Sequence, residues 1–263
     1  MKASVEKLKL LVAVVSVALV IAGCGGSAGG GPDEFAAICS GPLATPGAAP
    51  SAAAGSCAES LGGHAAHLDC ATVTDMGTLS GFQLGEINTH TGSTTDQKVT
   101  AISQSGHCGF TVPAGYVAFI QSKEPIEEGL TIADFIPRSG ENSVTLLLRC
   151  PKVGDTPCLA LSMYSSQTYE CIEIMGGKKQ TLARGTFAGQ QFPAPQLEVN
   201  KANRLVFSVK GDAIDGYING RQICGGKTTV PVSVSAATVQ IAQAGGSTPA
   251  SVDLIDFYIF GSA

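Results

Sequence analysis

The sequence contains no tryptophan, and aromatic residues fill only 6% of its 263 positions. Charge is also scarce: Asp, Glu, Lys and Arg make up 14%, with 16 basic residues against 21 acidic. A protein that grips nucleic acid needs a basic face to displace counterions from phosphate, so nucleic acid is excluded as a partner. The strong helix formers Glu, Lys and Arg are few, and downstream of Ala71 no window of about twelve residues keeps a clean helical period. No cysteine pair is spaced C-x-x-C, which removes thioredoxin-like redox sites and haem attachment. No G-x-S-x-G nucleophile elbow occurs. What is present is 44% hydrophobic residues, 33 Gly, and much Thr, Ser and Val. The apolar fraction is enough for a packed core, and the balance is that of an all-β protein.

The first segment carries an address. Lys2, Lys7 and Lys9 precede Leu10–Gly23, an apolar run broken only by Ser16. That run is too short to cross about 30 Å of hydrocarbon as a helix but suits the apolar region of a signal peptide. It ends in Ile21-Ala22-Gly23-Cys24. This string resembles the lipobox of bacterial lipoproteins: aliphatic, small, Gly or Ala, then Cys. The resemblance implies cleavage before Cys24, a diacylglycerol on its thiol, and fatty acylation such as palmitate on its new amine. Each buried CH₂ contributes roughly 0.8 kcal/mol, so two or three chains anchor stably. The resemblance therefore predicts residues 1–23 as signal peptide. The rest would be exported and lipid-anchored, at the outer leaflet of the cell membrane or in an outer membrane. By resemblance to enterobacterial lipoprotein sorting, Gly25 in place of Asp would permit outer-membrane export.

Residues 24–70 read as the acylated Cys followed by a linker. Gly25–Pro32 (GGSAGGGP) is flexible coil, and Pro42, Pro46 and Pro50 punctuate an Ala-, Gly- and Ser-rich stretch. Nine cysteines less Cys24 leave eight: Cys39, Cys57, Cys70, Cys108, Cys150, Cys158, Cys171 and Cys224. An even number in an exported chain predicts disulfides. Cys150 and Cys158 flank a Pro-bounded loop and suit a hairpin staple, and Cys39–Cys57 suits a closed local loop; the other pairings stay open. Cys57, His64, His67 and Cys70 can be drawn as a metal site, but thiolates outside the cytosol favour disulfides, and no metal is expected there.

From Ala71 to Ala263 the texture is one of short strands and turns. Ser143–Arg149 is strongly apolar. Leu159–Tyr164 and Tyr169–Met175 flank a Ser-Ser-Gln-Thr turn. Leu205–Lys210 and Ala213–Ile218 meet at Gly211-Asp212, and Asn219-Gly220 then turns the chain into Arg221–Cys224, the strongest hairpin signal present. Val252–Phe260 closes the pattern. Glu124–Phe135 admits a short helix, while Leu130–Ile136 reads equally well as a strand. The expectation is one two-sheet antiparallel β-sandwich, of jelly-roll type, over 71–263.

Asn203-Arg204-Leu205 through Gly211-Asp212, Ile214 and Tyr217-Ile218-Asn219-Gly220 resembles a signature of concanavalin A-like lectin/glucanase sandwiches, in their laminin-G-like and 3-keto-disaccharide-hydrolase-like groups. Tyr169–Ile174 with Gly176–Leu182, and the strand Val252–Ile259, resemble neighbouring parts of that pattern. The resemblance covers about 132–261. It implies a glycan as ligand or substrate.

Retaining glucanases of this kind carry two carboxylates about 5 Å apart on one face of a strand. Glu170 and Glu173 are three apart, which strand alternation places on opposite faces, and Asp253 and Asp256 fail by the same parity. No catalytic residue is assigned, and non-catalytic binding is the expected role. A glycosidase-like hydrolase and a structural or protein-interaction module of the envelope are the alternatives. Candidate ligand residues are Tyr164, Tyr169, Tyr217, Asp212 and Asp215. Tyr116 is a further tyrosine. Half-buried sheet positions account for such tyrosines better than stacking platforms do, and turn formation accounts for Asp212 and Asp215 near hairpin ends better than Ca²⁺ binding does. Loop aspartates in laminin-G-like domains bind Ca²⁺, the one cofactor that the resemblance raises.

Overall fold

The computed structural model describes residues 64–151, 157–186 and 200–262. The expected signal segment, Cys24, the tether, and Cys39 with Cys57 lie outside the described residues. The described chain forms fifteen strands and no helix. In order they are β1 (His64–Asp69), β2 (Phe82–Asn88), β3 (Thr100–Gln104), β4 (His107–Val112), β5 (Tyr116–Ile126) and β6 (Glu128–Ser139). Then come β7 (Glu141–Leu148), β8 (Cys158–Tyr164), β9 (Thr168–Met175), β10 (Lys178–Thr186) and β11 (Asn203–Lys210). The last four are β12 (Ala213–Ile218), β13 (Arg221–Lys227), β14 (Ser235–Gly245) and β15 (Ala250–Ser262).

They build two antiparallel sheets. One runs β13-β12-β11-β6-β15-β4-β3, with β1 also paired to β15. The other runs β10-β9-β8-β7-β14-β5-β2. The core lies between them. Leu205, Phe207, Ala133, Phe135 and Phe257 of the first sheet meet Phe82, Ile120, Leu146, Leu161 and Val239 of the second. The Phe82 and Phe257 rings pack across the layer with centroids 5.7 Å apart.

Local chemistry explains most elements. Asn219 and Gly220 have φ of 48° and 80°, the left-handed pair a two-residue hairpin requires, and they join β12 to β13. Gly140, at φ 72°, turns β6 into β7 where a Cβ would lie 2.4 Å from the Pro249 carbonyl oxygen. β6 settles the helix-or-strand ambiguity in favour of strand. It sits between β11 and β15, with residues of both its faces buried, Thr131, Ala133 and Phe135 on one and Leu130, Ile132 and Asp134 on the other. A strand covered on both sides reads as a continuous apolar run and loses the period of two.

β1 lies inside the stretch read from sequence as linker. Its HAAHLD composition is poor in strand formers, and the pairing comes from β15. β4 pairs with β15 over Ala250–Leu254, and β1 takes the same edge over Asp256–Gly261. Between them Ile255 bulges, and its carbonyl accepts the Cys70 N–H at 3.1 Å. The long C-terminal strand thus finds backbone partners along its length.

Three disulfides join described cysteines: Cys70–Cys108, Cys150–Cys158 and Cys171–Cys224. The Cys150–Cys158 staple closes the β7–β8 connection as its spacing predicts. Cys171 on β9 and Cys224 on β13 link the two sheets, a pairing that sequence spacing leaves open. Cys70 is bonded to Cys108, and the described His, Cys, Asp and Glu side chains form no group of three placed to hold a metal ion.

Candidate functional site: two outer sheet faces

Strand register sorts the chemistry onto two outward faces. On the seven-stranded sheet, one row across the strands reads Glu170, Ser162, Thr145, Gln240, Phe119, Gly85. The next row reads Ile172, Ala160, Leu147, Thr238, Gln121, Gln83, and the row on the other side reads Thr168, Tyr164, Ser143, Ala242, Val117, Ile87. Leu147, Cys150, Cys158, Ala160 and Ile172 form a small apolar cluster at one end. Hydroxyls and amides dominate the rest. Thr145 and Ser162 share a hydrogen bond of 2.8 Å. The tip of the Phe119 ring covers Gly85, where a Cβ would come within 2.2 Å of it. Gln83 is exposed, and Gln121, Gln240, Tyr164 and Thr168 partly so. Glu170 is the carboxylate of these rows, and Lys179 Nζ holds it at 2.6 Å.

Strand alternation places Glu170 and Glu173 on opposite faces of β9. Glu173 points inward beside Cys171 and is 1% exposed. Its carboxylate accepts hydrogen bonds from Thr228 Oγ1 (2.8 Å), Thr229 N (2.9 Å) and Thr229 Oγ1 (2.8 Å). Burial pushes its pKa up, but these donors outweigh burial and leave it below its ordinary value. A depressed carboxyl stabilises the fold above the unfolded pKa and loses that contribution as pH falls through the folded one. We expect Glu173→Gln to cost about 1–3 kcal/mol at neutral pH. The gap from wild type should narrow on acidification, as read by denaturant unfolding at several pH values.

Asp253 and Asp256 do not alternate as a regular strand would require. The bulge at Ile255 shifts the register, so Asp253 pairs with Ile136 and Asp256 with Asp134, and both aspartates share the outer face of the eight-stranded sheet. Asp69, Asp256 and Asp134 are therefore cross-strand neighbours on β1, β15 and β6, followed by Arg204 on β11. Neighbouring carboxylates at that spacing resemble a hydrolytic pair, but each has a structural partner. Arg204 donates to Asp134 through Nε at 2.6 Å and Nη2 at 2.5 Å, and both side chains are 0% exposed. His67 Nε2 lies 2.8 Å from Asp256, and its ring stacks on Tyr258 with centroids 4.0 Å apart. Burial raises the Tyr258 pKa, helped by Asp256 and Asp134. Asp69 accepts the Ala71 N–H at 2.9 Å, and Asp253 accepts from Arg138 Nε at 2.7 Å.

Of the candidate ligand residues only Asp215 and Tyr217 come together, two apart on the outer face of β12 beside Gln222. Tyr164 lies on the outer face of the seven-stranded sheet. Tyr169 packs against the core across Gly185, and Tyr217 lies on the outer face of the other sheet beside Gln222. Tyr116 belongs to a loop network, its hydroxyl 2.9 Å from Asp96 Oδ2 and 3.1 Å from Asn88 Nδ2. Asp212 sits in the β11–β12 turn, bonded to Lys227 Nζ at 2.7 Å, which holds its pKa below the ordinary value. Asp215 Oδ1 accepts from Gln222 Nε2 at 2.6 Å. These partners do not fit a Ca²⁺ site shared by Asp212 and Asp215.

The signature residues prove architectural. Asn219 Oδ1 accepts the Arg204 N–H at 2.7 Å, and Asn219 Nδ2 donates to Asn203 Oδ1 at 3.1 Å, so the motif ties its own hairpins together. Arg149 does similar work. The residue is 1% exposed, and its guanidinium donates to the carbonyls of Gly211 (2.6 Å) and Val230 (3.2 Å). Burial lowers its pKa, opposed by the charges of Glu128, Glu127 and Asp212. The Asp134–Arg204 pair was not assigned from sequence. Its signal is a lone carboxylate in the apolar run Leu130–Ile136, since a buried charge demands a partner.

With both sheets and their outer faces in place, solved structures provide the comparison. The β-glucanase of Bacillus licheniformis aligns with a TM-score of 0.54 at 11% identity, covering 77% of this chain and 100% of that one. The fold is the lectin/glucanase sandwich. The laminarinase catalytic domain of Thermotoga maritima aligns at 0.54 with 12% identity, over 75% of this chain and 97% of that one. The potassium-bound carbohydrate recognition domain of Emp46p aligns at 0.51 with 12% identity, over 74% and 96%. No family model matches the chain, and no curated protein matches it in sequence.

Proposed function

We propose that this chain is an exported lipoprotein, acylated at Cys24, whose sandwich binds neutral glycans without cleaving them. The observation that carries the binding reading is the outer face of the seven-stranded sheet. Its accessible groups are the amides of Gln83, Gln121 and Gln240, the Thr168 hydroxyl and the Tyr164 ring, groups that satisfy sugar hydroxyls and stack on sugar C–H faces. Its rows hold one carboxylate, neutralised by Lys179, where a retaining hydrolase needs two. The acids of the opposite face are engaged by Arg204, His67 and Arg138. Solved proteins sharing the fold include a β-glucanase, a laminarinase and a carbohydrate recognition domain, which supports a saccharide as the ligand class. The test is a glycan array probed with the chain lacking residues 1–24. Selective retention of neutral oligosaccharides is expected, and no retention on any sugar refutes the reading.

The anchor rests on the Ile21-Ala22-Gly23-Cys24 string after an apolar run. Cys24→Ala should move the protein from the membrane pellet to the soluble or secreted fraction, or stall it uncleaved with its signal segment. A variant that is processed and still sediments like wild type excludes acylation as the tether.

A further inference from the structure

The outward side of the eight-stranded sheet is not bare. Strand register lines up Phe260, Leu130 and Ser208 in one row across β15, β6 and β11, and Tyr258, Ile132 and Val206 in the next. Their neighbours Phe257, Ala133 and Phe207 belong to the core between the sheets; the five apolar residues of the outward rows do not. They are nonetheless as deeply buried, from 0% exposed at Ile132 to 6% at Val206 and Tyr258. Lateral packing within a sheet does not achieve this, because it leaves the top of an outward side chain to solvent. Ile102 shows the uncovered case. It stands on the same side of the same sheet, on β3 opposite Gly109, and is 46% exposed. Every described strand lies in one of the two sheets, so none of them is the cover.

We propose that the cover is the chain immediately before β1, residues 35–63, laid back across this side of the sheet. Its exit point selects it. β1 starts at His64, whose register partner is Gly261, so this chain leaves the sheet next to Phe260 and Leu130. Leu61 is three residues from His64, and Gly62-Gly63 between them lets the backbone reverse from the sheet edge onto the outward side. Composition fits an apolar floor: Phe35, Ile38, Leu43 and Leu61 are set among alanines, with no Lys, Arg or His from 24 to 63. Length is ample. Extended, residues 35–63 reach about 100 Å, against about 20 Å across β1, β15, β6, β11 and β12. The connection 187–199 is the competing stretch, but it leads into Asn200, whose N–H bonds the Pro137 carbonyl at 2.8 Å, at the opposite end of β6 from Leu130. Most of the stretch that composition marks as a tether is then part of the domain, and Gly25–Glu34 remains as the leash. With Cys24 acylated, the covered sheet faces the membrane and the seven-stranded face points away from it; that consequence rests on the anchor reading above, and the cover does not.

The experiment uses the full, disulfide-intact chain in detergent micelles. The photo-reactive p-benzoylphenylalanine is placed at position 258 in place of Tyr258, irradiated, and its cross-linked peptide identified by mass spectrometry. Capture of residues 35–63 of the same molecule is expected. Capture of residues 187–199, of a second copy of the chain or of detergent overturns the proposal. Hydroxyl-radical footprinting of chains with the natural Tyr258 gives a second readout. Tyr258 and Phe260 should be labelled at least tenfold faster in Phe35→Asp, Leu61→Asp than in wild type, while Tyr164 and the inward Phe257 label alike in both. Equal labelling of Tyr258 and Phe260 in the two chains overturns the cover. A rise at Phe257 as well marks general unfolding, and the cross-link then decides. Neither readout needs the lipid. The same cross-link from Cys24→Ala keeps the cover and leaves the anchor to its own fractionation test.

Discussion

Replacing Arg204 with alanine is expected to destabilise the sandwich by about 3–5 kcal/mol, among the largest effects of any single substitution. The pair it breaks lies on the outer face of the eight-stranded sheet, yet both partners are fully buried. Asp134 would keep its charge, lose the guanidinium that meets it at two points, and still face Asp256 as its cross-strand neighbour. Removing one member of a buried ion pair exposes the desolvation cost of the other, which exceeds the net worth of the pair itself. The double variant Arg204→Met, Asp134→Leu should therefore recover most of the loss. Denaturant unfolding of the two variants measures both numbers. An Arg204→Ala midpoint within error of wild type would show that the pair carries no structural burden.

The second large effect is the loss of the inter-sheet disulfide. Cys171 and Cys224 are 53 residues apart in sequence and join β9 to β13 across the sandwich. In the chain-entropy model a loop of that length contributes about 4 kcal/mol, against about 2.5 kcal/mol for the 8-residue separation of Cys150 and Cys158. The double substitution Cys171→Ala, Cys224→Ala should thus lower stability more than Cys150→Ala, Cys158→Ala. For a domain of this size each kcal/mol lowers Tm by roughly 2–4 °C. Calorimetry of the two double variants without reductant compares them directly. Equal losses would remove loop length as the explanation.

Sequence made the sandwich legible because its turns speak locally. Asn219-Gly220, the Ser-Ser-Gln turn after Tyr164 and the Cys150–Cys158 staple are all set by residues within a few positions of one another. What sequence concealed was non-local. β1 is a strand because β15 has an unfilled edge, and nothing in HAAHLD announces that. The parity rule that separated Asp253 from Asp256 was sound for a regular strand and was overridden by one bulged residue, Ile255. The Cys171–Cys224 bond depends on which edges of two sheets meet. The candidate site was the least legible part. Tyr164, Tyr169 and Tyr217 alternate onto three different surroundings, and the polar face of the seven-stranded sheet is assembled from six strands, each contributing one or two unremarkable Ser, Thr or Gln residues.

Binding without hydrolysis is the claim on which the functional account turns, and one incubation tests it. The chain lacking residues 1–24 is mixed with a neutral oligosaccharide retained on the array, and bound sugar and new reducing ends are quantified from the same sample over a day. The account predicts saturable binding with the reducing-end count unchanged. Reducing ends that rise with protein concentration would contradict it and point back to carboxylates that meet in space.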